Sequence, residues 1–220
     1  MILQHLNSLS TKHIILASSS PRRKEILQKI GLKFTVVPSD FEETLDPKTY
    51  SSPDQFVIAT AKGKAEEVAK RLSQPESSIH PDLVIGADTC ISLEGQVFGK
   101  PKNVDDAVSM LSRFSSNSHE VLTGVCILMW RSAGDDGGRW QEICFSETTE
   151  VQFAKLTQDV IKAYVDSGEP LDKAGGYGIQ GLGGTLVEGI RGDYYNVMGF
   201  PLHRFCKHLS QALAGEEPAS

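Results

Sequence analysis

Two carboxylates and four cations stand in short, well-separated segments of the chain: Glu43 and Asp88, with Arg22, Arg23, Lys64 and Lys100. A carboxylate can take a proton from water or hold a hard cation, while guanidinium forks and ammonium groups suit phosphate oxygens. Four cations against two acids fit a polyanion that carries a divalent metal. The chemistry such a set could run is phosphoanhydride hydrolysis: an activated water, neutralised developing charge and a stabilised leaving group.

Each of these residues needs an element to place it. Ile14-Ile15-Leu16 reads as a short buried strand and Pro21 suits the first turn of a helix, so the turn falls at Ser18 to Ser20. Free N–H groups and the helix dipole favour an anion there, with Ser18, Arg22 and Arg23 as ligands. On spacing alone, a serine-capped helix with two solvated arginines is an equal reading. That helix stops at Gly31, and Phe34 to Val37 has strand composition before Pro38 and the acidic loop Ser39 to Glu43, which equally fits a solvated turn. Pro53 to Leu72 reads as a helix on which Lys64 shares a stripe with Val57, Ala61 and Val68. An inward lysine needs an anionic partner, unless its stem lies on apolar surface and the ammonium escapes to water. Leu83 to Thr89 reads as a buried strand with Asp88 at its carboxyl end, where open α/β sheets place their ligand crevice; a turn aspartate is the alternative. Lys100 sits on a stiff loop between Gly99 and Pro101. The glycine-dense segment Glu169 to Gly184 cannot be a regular element; it permits close backbone approach to a ligand, and Gln180 offers a donor and an acceptor for a ring edge. A glycine lid without such a contact is the competing reading.

The remaining elements are read for packing only. A hairpin turns at Glu94-Gly95, Asn103 caps a helix with Ala107, Met110, Leu111 and Phe114 on one face, and Thr157 caps a helix closed by Gly168. Strands over Glu120 to Trp130 and Trp140 to Phe153 are joined by residues 133–138, a flexible and dispensable tip. Pro201 begins a helix packing Leu202, Phe205, Leu209 and Leu213, and Tyr194 and Tyr195 are placed to wall the cleft. The chain has 220 residues with a net charge of −6, which argues against nonspecific nucleic-acid binding. Cys90, Cys126, Cys144 and Cys206 are scattered in or beside apolar segments, so buried reduced thiols are expected rather than disulfides or zinc. With no long apolar span and no secretory pattern, the expectations are no membrane partner, a cytoplasmic location, a ragged extension over 1–12, one two-lobed domain over 13–213 and a disordered tail over 214–220.

Ala17-Ser18-Ser19-Ser20-Pro21-Arg22-Arg23, Gly86-Ala87-Asp88-Thr89, Gly99-Lys100-Pro101, Asp172 to Gly181 and Gly192 to Gly199 together resemble, in order, the motifs of the Maf family of nucleotide pyrophosphatases. The resemblance implies an α/β fold, a mixed twisted sheet flanked by helices with two lobes around a central cleft, like inosine triphosphate pyrophosphatase. It implies a nucleoside triphosphate substrate, dTTP or UTP or a modified pyrimidine nucleotide, cut to the monophosphate and pyrophosphate. In that reading Asp88 is the proton acceptor, Glu43, Lys64 and Lys100 are catalytic, Ser18, Arg22 and Arg23 bind phosphates, and Thr89 and Gln180 set base preference. Glu43 and Asp88 would hold the divalent metal, magnesium first and manganese second, and a homodimer is implied. Two alternatives stay open: a 7-methyl-GTP pyrophosphatase of the sister branch, and a non-catalytic nucleotide sensor that regulates cell division.

Overall fold

A computed structural model describes residues 2–75, 77–132 and 138–215. Seven strands form one mixed sheet, and the helices lie on both of its faces.

The chain starts with a 3₁₀ turn, Ile2–His5, and a short helix α1, Leu6–Leu9. The expected ragged extension is thus helical and packed: Ile2 and Leu9 are buried in the main apolar cluster. Ile2, Leu6 and Leu9 stand at helical spacing, but so short a segment is marginal as a helix by itself, and tertiary burial decides the matter. Strand β1 (Ile14–Ala17) then turns through Ser18 to Ser20 into α2 (Pro21–Lys29), with Ser20 Oγ accepting from the Arg23 amide as the cap and Gly31 closing the helix at φ 77°. Strand β2 (Thr35–Val36) pairs parallel to β1. Helix α3 (Pro53–Leu72) begins at a Ser52 cap with proline in its first turn.

Strand β3 (Leu83–Leu93) is longer than its sequence suggests, so Asp88 lies mid-strand rather than at the strand's end. The position still faces a crevice. Strand β1 pairs parallel to β3 only as far as Ala17 opposite Gly86, and β4 (Gln96–Phe98) takes up the same edge again at Ile91. Between them, Ala87 to Cys90 are left without a strand partner on that edge among the described residues, while their other edge runs against β5 (Ser118–Ser132). The crevice rule therefore holds for the end of β1, not of β3.

Helix α4 (Val104–Phe114) is capped by Asn103 as its sequence predicts. Strand β6 (Gly138–Phe153) follows β5 in a long antiparallel pair; residues 133–137 of the expected tip lie outside the described residues. Helix α5 (Gln158–Asp166) carries its Thr157 cap and ends before Gly168 at φ 76°. The edge strand β7 (Val187–Arg191) and helix α6 (Tyr194–Met198) have no counterpart in the sequence reading, and β7 is almost wholly exposed, so no alternation marks it. Helix α7 (Leu202–Ala214) buries Phe205 and Leu209, and its last residue already belongs to the expected tail, of which 216–220 lie outside the described residues.

Four apolar clusters among the described residues hold these parts, the three larger being these. Leu16, Ile85, Ile127, Phe200 and Phe205 lie on the α2 and α7 side, and Ala61, Ala65, Val68, Val84 and Cys126 under α3. Phe98, Phe114, Val121, Phe153 and Tyr177 pack with α4 and α5. All four cysteines are free thiols, Cys90 and Cys126 buried but Cys144 and Cys206 only half-buried. Among the described residues, no helix is long and apolar enough to cross a membrane.

His119 lies in the third cluster, 1% exposed, with Nε2 2.7 Å from the Tyr177 hydroxyl and its ring against Phe114 and Phe153. Burial lowers its pKa to about 4, so the folded ring stays neutral where the unfolded one, near pH 6.5, takes a proton. The unfolded state then binds the extra proton, and the stability present above pH 6.5 is lost as pH falls toward 4. Urea unfolding should show a loss of roughly 2–3 kcal/mol from this residue between pH 7 and 4.5. His119→Gln should flatten that part of the profile, and an unchanged profile would remove His119 as its source.

Candidate active site

The floor of the site is set by how closely α3 approaches the sheet. Gly86 of β3 and Gly124 of β5 lie under the helix: a Cβ on Gly86 would run into the Ala61 carbonyl, and one on Gly124 into the carbonyl of Val57. Side chains two apart on a strand share a face, so Asp88 points to the same side as Gly86. Lys64, one turn beyond Ala61, reaches down to it: Lys64 Nζ donates to Asp88 Oδ1 at 2.8 Å. The same ammonium lies 2.8 Å from Glu43 Oε1. Lys64 and Asp88 are 12% and 13% exposed, Glu43 62%. The inward lysine thus finds its anionic partner in two carboxylates.

Glu43 arrives on a loop without regular structure, held to α3 in two ways. The Phe41 ring lies directly over Gly63, where a Cβ would collide with it. Glu67 Oε2 accepts from Ser39 Oγ at 2.8 Å and from the Asp40 amide at 2.9 Å. A glycine in mid-helix, unfavourable for the helix itself, is what lets the acidic loop sit this close.

The turn after β1 supplies the next wall. Arg23 is buried, and its fork is largely spent on the protein: Nε donates to the Gly199 carbonyl at 2.9 Å, Nη1 to Ser18 Oγ at 3.1 Å and Nη2 to Thr89 Oγ1 at 3.0 Å. Burial lowers its pKa, countered by the charge of Asp88. Arg23 therefore braces Ser18 and Thr89, and its expected role as a phosphate fork is reduced to the N–H left on each terminal nitrogen. Thr89 shares a further hydrogen bond with Thr123 at 2.9 Å, and Thr123 donates to the Asn196 carbonyl at 3.3 Å. Arg22 is more open, its Nη1 donating to Asp172 Oδ2 at 3.0 Å.

Lys100 and Gln180 stand on the rim, both exposed. The Lys100 loop is tied to the glycine-dense segment where the Gly175 amide donates to the Gly99 carbonyl at 2.8 Å. All nine predicted residues, Ser18, Arg22, Arg23, Glu43, Lys64, Asp88, Thr89, Lys100 and Gln180, line one cleft of about 560 Å³. Tyr194 and Tyr195 do not: Tyr195 packs on the main apolar cluster and Tyr194 is exposed, because α6 turns them away from the cleft. The sequence reading missed Asp172, Lys173 and Tyr177 as cleft residues, although all three stand inside one of its quoted motifs. Cys90 also lines the cleft, but burial pushes its thiol up to about 12, which removes it as a nucleophile at neutral pH.

A divalent metal fits this donor set in one manner. Glu43 and Asp88 present hard oxygen donors to either side of the Lys64 ammonium, each 2.8 Å from its Nζ. Among the described residues no group of three or more acid, histidine or cysteine side chains gathers to cage an ion. Magnesium is commonly held by one or two carboxylates with substrate phosphates and water completing its shell, so two carboxylates suit an ion that arrives with a polyphosphate.

Residues 13–212 match the family model described as Maf-like protein. The chain is 49% identical over 205 residues to a human protein named "probable bifunctional dTTP/UTP pyrophosphatase/methyltransferase protein", covering 93% of this chain but 32% of the human one; it spans about a third of that relative's length. It is 48% identical over 197 residues to the dTTP/UTP pyrophosphatase of Clostridium perfringens strain 13, covering 89% of this chain and 95% of that protein. The dTTP/UTP pyrophosphatase of Bacillus cereus strain G9842 is 44% identical over 200 residues, covering 91% and 95%. A solved structure of a HAM1 protein from Coxiella burnetii aligns over 91% of this chain and 100% of that one, at 16% identity and a TM-score of 0.44.

Proposed function

This chain belongs to the family of Maf-like proteins, and we propose that it is a nucleoside triphosphate pyrophosphatase that hydrolyses dTTP and UTP, and modified pyrimidine triphosphates, to the monophosphate and pyrophosphate. The observation that carries the reading is the meeting of Lys64 with Asp88 and Glu43, each at 2.8 Å, in a cleft that Ser18, Arg22 and Lys100 also line. Relatives of that name align over most of the chain.

In the proposed reaction Asp88 takes the proton from a water attacking the α phosphorus, and the bond from that phosphorus to the α–β bridging oxygen breaks. Lys64, fixed between the carboxylates, meets charge developing on the phosphoryl oxygens, while Arg22, Lys100 and the start of α2 receive the pyrophosphate. Ser18, held by Arg23, orients a phosphate oxygen. Thr89 and Gln180, which both line the cleft, set the base preference. Glu43 and Asp88 would hold magnesium, with manganese as substitute, which supplies neutralisation of phosphate charge. The proposal places the enzyme in the cytoplasm as a homodimer on the strength of the family resemblance; four free thiols support a reducing compartment.

The test is to incubate the purified protein with magnesium and dTTP, UTP, CTP, GTP, 7-methyl-GTP and modified pyrimidine triphosphates, and to resolve monophosphate plus pyrophosphate from diphosphate plus phosphate. Monophosphate from dTTP and UTP is the expected product, with turnover lost in EDTA and restored by added magnesium. Diphosphate as product would overturn the cleavage site, preference for 7-methyl-GTP would move the protein to the sister branch, and binding without turnover would make it a sensor.

A further inference from the structure

Gln180 sits on an irregular stretch: Gln180, Gly181 and Leu182 are all exposed and no strand or α-helix carries them, although Ile179 packs on the main apolar cluster and the Gly181 amide donates to the Gly178 carbonyl at 3.1 Å. One side chain outside the cleft holds it in place. Glu169 Oε2 accepts from the Leu182 amide at 2.9 Å, and Oε1 accepts from the Gly183 amide at 3.0 Å and from the Tyr164 hydroxyl at 3.0 Å. Successive N–H groups make an anion-binding concavity, here filled by the protein's own carboxylate. Tyr164 completes the tie, its oxygen accepting from the Gly178 amide at 3.2 Å. The backbone on both sides of Gln180, at Gly178 before it and at Leu182 and Gly183 after it, is thus fastened to one Glu–Tyr pair. The glycines follow from the same arrangement: a Cβ on Gly181 would overlap the Glu169 carboxylate, and one on Gly183 would meet the Tyr164 hydroxyl. Burial works to raise the Glu169 pKa, yet the amides of Gly183 and Leu182 and the Tyr164 hydroxyl outweigh it and hold the carboxyl below its ordinary range.

We infer that Glu169 is a positioning residue for base selectivity: its carboxylate fixes the backbone on which Gln180 meets the nucleobase, without touching the nucleotide itself. The inference rests on the proposed reading of Gln180 as the residue that meets the base. A carboxylate accepts at both oxygens, whereas the glutamine amide must turn a donor toward either the Leu182 or the Gly183 N–H. Space-filling alone would be preserved by glutamine; positioning by two acceptors would not.

The experiment measures kcat and KM for UTP and CTP, which differ at one ring edge, in the wild type and in Glu169→Gln, Glu169→Ala, Tyr164→Phe and Gln180→Ala, with urea unfolding of each. The expected result is a UTP-over-CTP ratio of kcat/KM that falls roughly tenfold in Glu169→Gln and Glu169→Ala, mainly through KM for UTP, with an intermediate fall in Tyr164→Phe. Where Glu169→Ala fails to fold, Glu169→Gln and Tyr164→Phe carry the test. A ratio unchanged in both of these, or equal losses for both nucleotides, overturns the inference. A wild type that does not favour UTP overturns instead the activity on which it rests, and a ratio kept in Gln180→Ala overturns the role of Gln180 and the inference with it.

Discussion

Asp88→Asn is expected to give a folded protein that binds UTP and turns it over roughly 10²–10⁴-fold more slowly, the range a positioned general base supplies. The amide has the shape of the carboxylate and keeps an oxygen that can accept from Lys64, which retains Glu43 at 2.8 Å. What it loses is the ability to take a proton from water and its charge toward a metal. Nucleotide binding, carried by Ser18, Arg22, Lys100 and the helix start, should change only a few-fold, so the loss falls on kcat. The measurement is steady-state kinetics beside equilibrium UTP binding of the variant. Ordinary turnover by Asp88→Asn would take the proton-acceptor role away from Asp88; loss of binding together with turnover would mean that Asp88 serves binding, through the metal ion or through its contact with Lys64.

Several of these placements are legible in the sequence because local chemistry and the fold agree. The stripe shared by Val57, Ala61, Lys64 and Val68 puts the Lys64 stem inward, and the structure supplies the anions that such a lysine needs. The Ser20 cap, Pro21 and the closing Gly31 mark α2 within its own few residues. Asp88 is found for a reason only half right: it faces a crevice because β1 stops at Ala17, which depends on pairing between distant segments, whereas its own strand runs on to Leu93. Arg23 illustrates the opposite limit. Side-chain type predicts a phosphate fork, but Gly199 and Thr89, 176 and 66 residues away in sequence, claim its nitrogens. Glu169 gives no local sign at all, since its value lies in amides of Leu182 and Gly183 that only the folded loop brings to it. Ile2 and Leu9 escape notice likewise, their burial being decided by the main cluster against which they pack.

Gly124→Ala is expected to lower stability by about 1–3 kcal/mol or more, and kcat with it, although no side chain of the site is altered. Gly124 is not one of the glycines with a positive φ, so the demand for glycine is one of space. A Cβ there would meet the carbonyl carbon and oxygen of Val57 and the amide nitrogen of Ile58. These are backbone atoms inside α3 and cannot swing aside as the end of a side chain would. Gly86 makes the same contact one turn along, at Ala61, so the helix rests on two glycines in neighbouring strands and one methyl group must lift it as a body. Lys64 moves with α3 while Asp88 stays with β3, which opens the 2.8 Å contact between them. Misplacement by about 1 Å can cost about 10²-fold in rate, so the fall in kcat should exceed what reduced stability explains at a temperature where the variant is still folded. Gly189→Ala is the matched control: on the exposed edge strand β7 a Cβ meets nothing within 4 Å, and stability should move by no more than about 0.5 kcal/mol with kcat unchanged. Urea unfolding and UTP turnover of the two variants decide it. A Gly124→Ala protein as stable and as active as the Gly189→Ala control would mean that α3 has room to spare, and that close approach of the helix to the sheet is not what sets Lys64 on Asp88.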